Sequence, residues 1–409
     1  MAFLMVCVIL TTASTASAFT ECTKTALTTG EAALPEEQQD PATTGDKDIY
    51  FSYRDNKTGL VFRQSHDGGR TWSQFTVDRD GSLPRVVTVQ KHVYLTWHSH
   101  EGRNGWVSFT HSDDAGATFA PIQNLGPSMN EIAQVATSGS LISIIWASGD
   151  AQVTVATSVN AGKTFTNVNL ASLPTAEEVW IEAMGKNIAV VWTGTGRDGY
   201  AKNLVSFSKD AGKTFAPAKN LTPNGISAIE PQMAISEKLG RIYMVWREEN
   251  TSFGTSVGFF SKTDDFGETW STPRVFNPKD DRSRQFAVAA SGNYVYVTYM
   301  DYGPSRDWST RLKISNDGGD SFGPHMLIGL SGIRGNLGNE AHAPRLWAAG
   351  NLMRIIYDQQ GWVTIRSSDN NGKDLSSPTK LGGGDQMLLY RNTALWLDDD
   401  GTAMFGLCH

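Results

Sequence analysis

Seven times along the chain a run of β-branched and aromatic residues ends in a tryptophan or tyrosine. These runs are 49–53, 93–97, 142–146, 188–192, 242–246, 295–299 and 353–357. Short, nearly continuous apolar runs of this composition predict strands buried on both faces. Each is followed by a polar loop, a second run and a short outer run, and a leading run such as 231–235 opens the next unit. Four short strands per unit is the content of a propeller blade. No segment keeps a 3.6-residue apolar period, so helix is expected to be scarce.

After the third run of each unit comes one eight-residue pattern, Ser65-His66-Asp67-Gly68-Gly69-Arg70-Thr71-Trp72 in its first appearance. It recurs from Ser112, Ser158, Ser208, Thr263, Ser315 and Ser368, at spacings of 47, 46, 50, 55, 52 and 53 residues. A fixed period near 50 residues marks a repeat architecture. The third position is Asp67, Asp114, Asn160, Asp210, Asp265, Asp317 or Asn370. A carboxylate or amide oxygen there is suited to accept backbone N–H groups within a tight turn. The glycine permits positive φ, and the closing Trp or Phe is expected to bury its ring under a neighbouring strand. These are scaffold tasks.

The pattern is the Asp box, and residues 48–409 resemble the Asp-box (BNR-repeat) β-propellers of the sialidase superfamily. The resemblance implies an all-β, seven-bladed propeller of four-stranded antiparallel blades, with boxes between third and fourth strands; six or eight blades are the alternatives. The first unit has no leading strand of its own, and the chain ends in a hairpin-like piece, 393–397 and 402–405. The C-terminus is therefore expected to supply the inner strand of the first blade.

The ends carry their own signals. Residues 1–18 have a short apolar core followed by Ala16-Ser17-Ala18, the pattern of a secretory signal peptide, and the run is too short to cross a bilayer. Residues 19–47 form a polar, irregular lead-in with one edge strand expected. With Cys7 in the leader, Cys22 and Cys408 remain. A propeller brings its termini together, so a Cys22–Cys408 clasp is expected, unpaired thiols being the alternative. Secretion is the implied location. Among 409 residues the net charge is −7 and no basic run interleaves with aromatics, which argues against nucleic acid as a partner. No integral membrane segment, cofactor motif or metal-ligand spacing stands out.

Strand direction puts the boxes on one rim and leaves the opposite rim, with its second-to-third-strand and inter-blade loops, for function. The resemblance implies a carboxylate-binding arginine triad, a tyrosine nucleophile with a glutamate base, and an aspartate acid. Glu230, ahead of Pro231-Gln232, fits the base, and Arg247 and Arg306 fit two triad arginines. Asp55 fits the acid. Arg85, Arg284 and Arg345 are further candidate cations, and Tyr302 and Trp308 candidate sugar-stacking rings. The chain lacks the Arg-Ile-Pro motif, and the register of the nucleophile falls near His342, leaving Tyr390 as the late tyrosine. Three readings stay open: a sialidase-like exo-glycosidase of carboxylated sugars, a non-catalytic cell-surface or matrix propeller that binds glycans or proteins, and a polysaccharide lyase using His98, His100 or His342. A carbohydrate or glycoconjugate is the expected partner in each enzymatic reading.

Overall fold

The computed structural model describes residues 22–27, 32–33, 42–43, 47–101, 104–128, 133–149, 152–171, 173–222, 226–236, 240–250, 255–277, 282–302, 307–334, 343–390, 393–398 and 402–408. The leader expected at 1–18 lies outside them, as do Arg306 and His342; of Tyr390 only the backbone is described. Every element among the described residues is a strand. None is a helix long and apolar enough to cross a membrane.

The strands form four-stranded antiparallel units, arranged so that the first strand of each lines a common central cavity in at least six of them. The fold is an all-β propeller. In the second blade, for example, Ser82–Val89 is innermost, followed outward by His92–Glu101, Asn104–Ser112 and Gln123–Pro127. The second strands of the blades are the apolar runs that the sequence marks out. Their Trp97, Trp146, Trp192 and Trp246 are fully buried between blades. The fifth and sixth blades touch through one parallel bridge, Ser256 to Arg282, and are otherwise separate four-stranded units.

Strand pairing gives eight such units among the described residues, against the seven expected. The extra blade comes from the C-terminal piece. Asp385–Tyr390, Thr393–Leu397 and Ala403–Cys408 pair in order, and Cys22–Ala26 closes them as the outer strand. The first blade takes its inner strand from the lead-in, because Ala32–Ala33 and Ala42–Thr43 both pair with Ile49–Asp55. The expectation that the C-terminus fills that place is therefore corrected. The eighth blade carries no box, so a count of boxes misses it.

All seven box turns share one hydrogen-bond scheme. The first hydroxyl donates to the third-position side chain, and its oxygen accepts the N–H of the fifth-position glycine. In the second blade Ser112 Oγ lies 2.7 Å from Asp114 Oδ1 and 2.8 Å from Gly116 N. Asp114 then accepts the N–H of Thr118 at 2.8 Å and its hydroxyl at 2.6 Å. Asn160 and Asn370 repeat the acceptor role and add an amide donor, to Thr164 Oγ1 and to Asp374 Oδ2. The fourth residue's N–H reaches back to the turn between first and second strands of its own blade, as from Ala115 to the Lys91 carbonyl at 2.8 Å. Boxes and first-to-second-strand turns therefore share one rim.

The box also packs outward onto the preceding blade. Its closing aromatic meets the aromatic three residues before the preceding blade's box in edge-to-face contact: Phe119 on Phe62, Phe165 on Phe109 and Phe322 on Phe260, with centroids 4.9–5.0 Å apart. Trp72 meets Phe405 in the same way at 5.1 Å, which places the C-terminal blade directly before the first and closes the ring. Phe405 precedes Cys408 by three residues, so Cys408 stands where a box serine would stand. Its disulfide to Cys22 joins the third and fourth strands at the place where every other blade has a box.

Three outcomes follow. Box carboxylates are held low, Asp114 and Asp210 at about 2, by the Thr118 and Thr214 hydroxyls first and then the backbone donors. Depressed carboxylates contribute stability above their unfolded value that is lost as pH falls through the folded one. The thermal midpoint should therefore drop between pH about 4 and about 2, and Asp114→Asn with Asp210→Asn should flatten that limb in calorimetry. Gly162 has φ +84° with Phe109 placed 2.7 Å from where a Cβ would sit; Gly162→Ala should cost about 1–3 kcal/mol in denaturant unfolding. Reduction of Cys22–Cys408, or Cys408→Ser, should lower stability by up to about 5 kcal/mol.

Candidate functional site

The rim opposite the boxes is shaped by bulges at the entrance of the inner strands. Pairing with the second strand slips between Ser82 and Arg85, Glu177 and Val179, Ile229 and Gln232, and Arg284 and Ala287. Leu83, Glu230 and Gln285 sit in these slips at φ of 50, 56 and 55°. A bulge leaves its extra residue out of the ladder and re-aims the side chain. The exposed N–H groups are then capped across blade boundaries. Glu178 Oε2 accepts the Glu230 N–H at 2.6 Å and the Thr193 hydroxyl at 3.2 Å, and Glu230 Oε2 accepts the Gln285 N–H at 3.4 Å.

Glu230 also holds Arg247, whose Nη2 lies 2.5 Å from Glu230 Oε1, while its Nη1 pairs with Glu249. The Arg247 side chain is only 6% exposed. Burial alone would depress its pKa, but the Glu230 and Glu249 carboxylates outweigh that and raise it. The buried guanidinium is fixed between two partly exposed carboxylates.

The central cavity, about 470 Å³, is walled by the inner strands of six blades, in the second by Arg85 to Thr88, between the bulge and the turn into the second strand. Strand register defines its levels. The inner-strand residues opposite the position just before each terminal aromatic are Arg85, Gln134, Trp180, Gln232, Ala287 and Arg345. Two residues further in are Val87, Ala136, Glu182, Ala234, Ala289 and Trp347. The upper level is polar and planar, whereas the lower is mostly small. Arg85 and Arg345, both largely buried, thus share one cavity.

On the second blade His98 Nδ1 lies 2.9 Å from His100 Nε2, and that nitrogen is 3.5 Å from Ser82 Oγ. His98 is buried, and burial first, then the neighbouring imidazole, lowers its pKa to about 4. It is neutral at physiological pH. Glu248 was not singled out as a site residue. It is 4% exposed, accepts the Trp246 indole N–H at 3.1 Å, and burial raises its pKa. The signal for it was present: a carboxylate two residues past a strand-ending Trp points to the same face as that ring.

The other candidates are placed as follows. Asp55 Oδ1 accepts the N–H groups of Lys57 and Thr58 and the Thr58 hydroxyl, at 2.8–3.0 Å, within the turn after the second strand of the first blade. Its pKa is lowered, because burial, which would raise it, is outweighed by those donors. Trp308 is 2% exposed and packs on Met300 with Tyr302 against it, ring centroids 5.1 Å apart. It offers no open face. Arg284 is half-buried at the bulge of the sixth blade. The structure therefore brings Glu230 and Arg247 together and sets Arg85 and Arg345 on a common cavity, while Asp55 and Trp308 are engaged within their own blades. Among the described residues no group of three or more His, Cys, Asp or Glu side chains is arranged to hold a metal ion.

No protein-family model matches the chain, and no curated protein sequence does. Solved structures do. An ulvan lyase of polysaccharide lyase family PL25 matches with TM-score 0.51 and 11% identity, over 81% of this chain and 94% of that one. The polysaccharide lyase Uly1 matches with TM-score 0.52 and 10% identity, over 79% and 89%. The Hadza microbial sialidase Hz136 matches at 14% identity over 76% of each chain, with TM-score 0.38. The likeness to the two lyases is one of fold.

Removing the buried arginine should expose the cost of its anions. Arg247→Met, which leaves Glu230 and Glu249 without their cation, should destabilise by about 3–5 kcal/mol. Adding Glu230→Gln should recover part of that loss in a double-mutant cycle followed by urea unfolding. The buried neutral His98 has a depressed pKa, so its contribution is full above the unfolded value and is lost as pH falls from about 6.5 to about 4. His98→Gln should remove that segment of the pH–stability curve.

Proposed function

We propose that this protein is an exported, sialidase-like β-propeller that recognises carboxylated glycans at the box-free mouth of its central cavity. The observation that carries this reading is the cavity itself: two largely buried arginines, Arg85 and Arg345, share it with amide side chains and two tryptophans. A guanidinium fork matches a carboxylate, and aromatic rings match the apolar face of a pyranose. Export is supported by the leader pattern at 1–18 and by the disulfide between the ends. Recognition is favoured over sialidase-type hydrolysis because Glu230, the base candidate, is already committed to Arg247 and to the Gln285 N–H. Tyr390, the late tyrosine, ends the inner strand of the eighth blade at its turn into the second strand, on the rim that the boxes share, which also counts against hydrolysis at this mouth.

A polysaccharide lyase is the second reading, favoured by the His98–His100 pair. Abstraction of the proton α to a uronate carboxylate needs an unprotonated base and a cation to offset the developing charge. His98, whose pKa is depressed by burial, stands beside His100 on the blade that carries Arg85, which supplies both kinds of group. The fold shared with two polysaccharide lyases agrees with it.

A glycan array with purified protein should show binding to sialylated or uronate-containing glycans and none to their neutral counterparts. The binding should weaken with salt, as charge recognition at an open mouth requires. Equal binding of neutral glycans would count against the reading. Incubation with uronate polymers, followed for the ultraviolet absorbance of an unsaturated product, and with a fluorogenic sialoside, separates lyase, hydrolase and binder.

A further inference from the structure

Two N-x-Thr triplets, Asn56-Lys57-Thr58 and Asn220-Leu221-Thr222, present their asparagines to solvent. We infer that both asparagines carry an N-linked glycan when the chain is exported. This rests on the export reading above and adds two covalent attachment sites to it.

The triplet, with any residue but proline at its centre, is the acceptor pattern for N-glycosylation, and Lys57 and Leu221 meet that condition. So short a pattern also recurs by chance, so the place of each triplet in the fold decides. Transfer forms a bond between the Asn Nδ2 and C1 of the first sugar of an oligosaccharide linked to a lipid pyrophosphate. The bond from C1 to the pyrophosphate oxygen breaks, the amide gives up one proton, and the lipid pyrophosphate leaves. The product keeps Oδ1 and one N–H. A folded site therefore suits a glycan where Nδ2 has no structural task and the side chain faces water.

Asn56 stands at the tip of the turn between second and third strands of the first blade, on the rim away from the boxes, and Asn56, Lys57 and Thr58 are all exposed. Its neighbour holds that turn: Asp55 Oδ1 accepts the N–H groups of Lys57 and Thr58 and the Thr58 hydroxyl. Asn220 is exposed on the outermost strand of the fourth blade, Lys219–Asn220, which pairs with Val205 and Leu204. It serves the fold through oxygen: Oδ1 accepts the N–H of the buried Thr222 at 3.0 Å and its hydroxyl at 2.8 Å. Attachment at Nδ2 leaves both bonds in place. A glycan there also covers a sheet edge, which exported or not must be kept from pairing with other chains. Of a third triplet, Asn250-Thr251-Ser252, only the Asn250 backbone is described, and the assignment does not extend to it.

The test is secretion of the full chain from a eukaryotic cell line under its own leader. The intact mass is read before and after peptide-N-glycosidase, and the sites are mapped by the conversion of Asn to Asp that release leaves behind. Release is expected at both 56 and 220. Asn56→Gln should remove one mass increment, and so should Thr58→Ala, which keeps the asparagine and breaks the triplet; Thr58→Ser should retain it. Asn220→Gln should remove the other, whereas Thr222→Ser, which keeps hydroxyl and triplet, should retain it. Protein in the medium that has lost its leader but shows unmodified Asn56 and Asn220 overturns the assignment and leaves the export reading standing. A chain that stays in the cell with Met1 in place overturns both.

Discussion

Everything in this molecule depends on a turn that satisfies its own backbone. In each box a hydroxyl and a carboxylate or amide take up the N–H groups that a tight reversal would otherwise leave unpaired, and a left-handed glycine brings the turn close to its neighbour. Because that glycine and the closing aromatic press on the third strand of the preceding blade, one short segment does two things. It ends a strand within its own sheet and sets the spacing to the next. Edge-to-face ring pairs of this kind contribute about 0.5–1.5 kcal/mol each beyond their buried area, and they recur at one register around the ring.

The boxes hold one rim, and the other is built differently. There the inner strands begin with bulges, and the N–H groups those bulges free are capped by acidic side chains of the preceding blade, Glu178 to Glu230 and Glu230 to Gln285. The rim therefore has its own cross-blade order, made from charged groups where the box rim uses hydroxyls and rings. Arg247 is part of that order. Its two carboxylates make it a structural cation first.

Much of the fold was legible in the residues, because box and strand patterns are local: the spacing of hydroxyl, acid and glycine, and the run of β-branched residues ending in Trp. The blade without a box was not legible, since its outer strand, Cys22–Ala26, lies almost the whole chain away from its partner and carries no pattern of its own. The terminal hairpin-like piece and the two cysteines were its signs, and neither shows where the outer strand comes from. The site was less legible still. Glu230 and Arg247 do meet, but the sequence could not show that they neutralise each other. Trp308 reads as a loop aromatic and is in fact core, and Asp55 reads as a free acid while serving its own turn. Exposure and partnership are set by the packing of distant strands, which one-dimensional spacing does not contain.

The closing blade has an implication for biogenesis. Among the described residues Cys22–Ala26 pairs with one strand, Ala403–Cys408, almost four hundred positions later in the sequence. Blades two to seven are each complete within a contiguous stretch and are free to assemble one after another as the chain lengthens. The circle itself has to wait for Ala403–Cys408, with Cys22–Ala26 lacking that partner until then. Oxidation of Cys22 with Cys408 then acts as a seal on a finished object, and any chain truncated before its last strand remains an open arc.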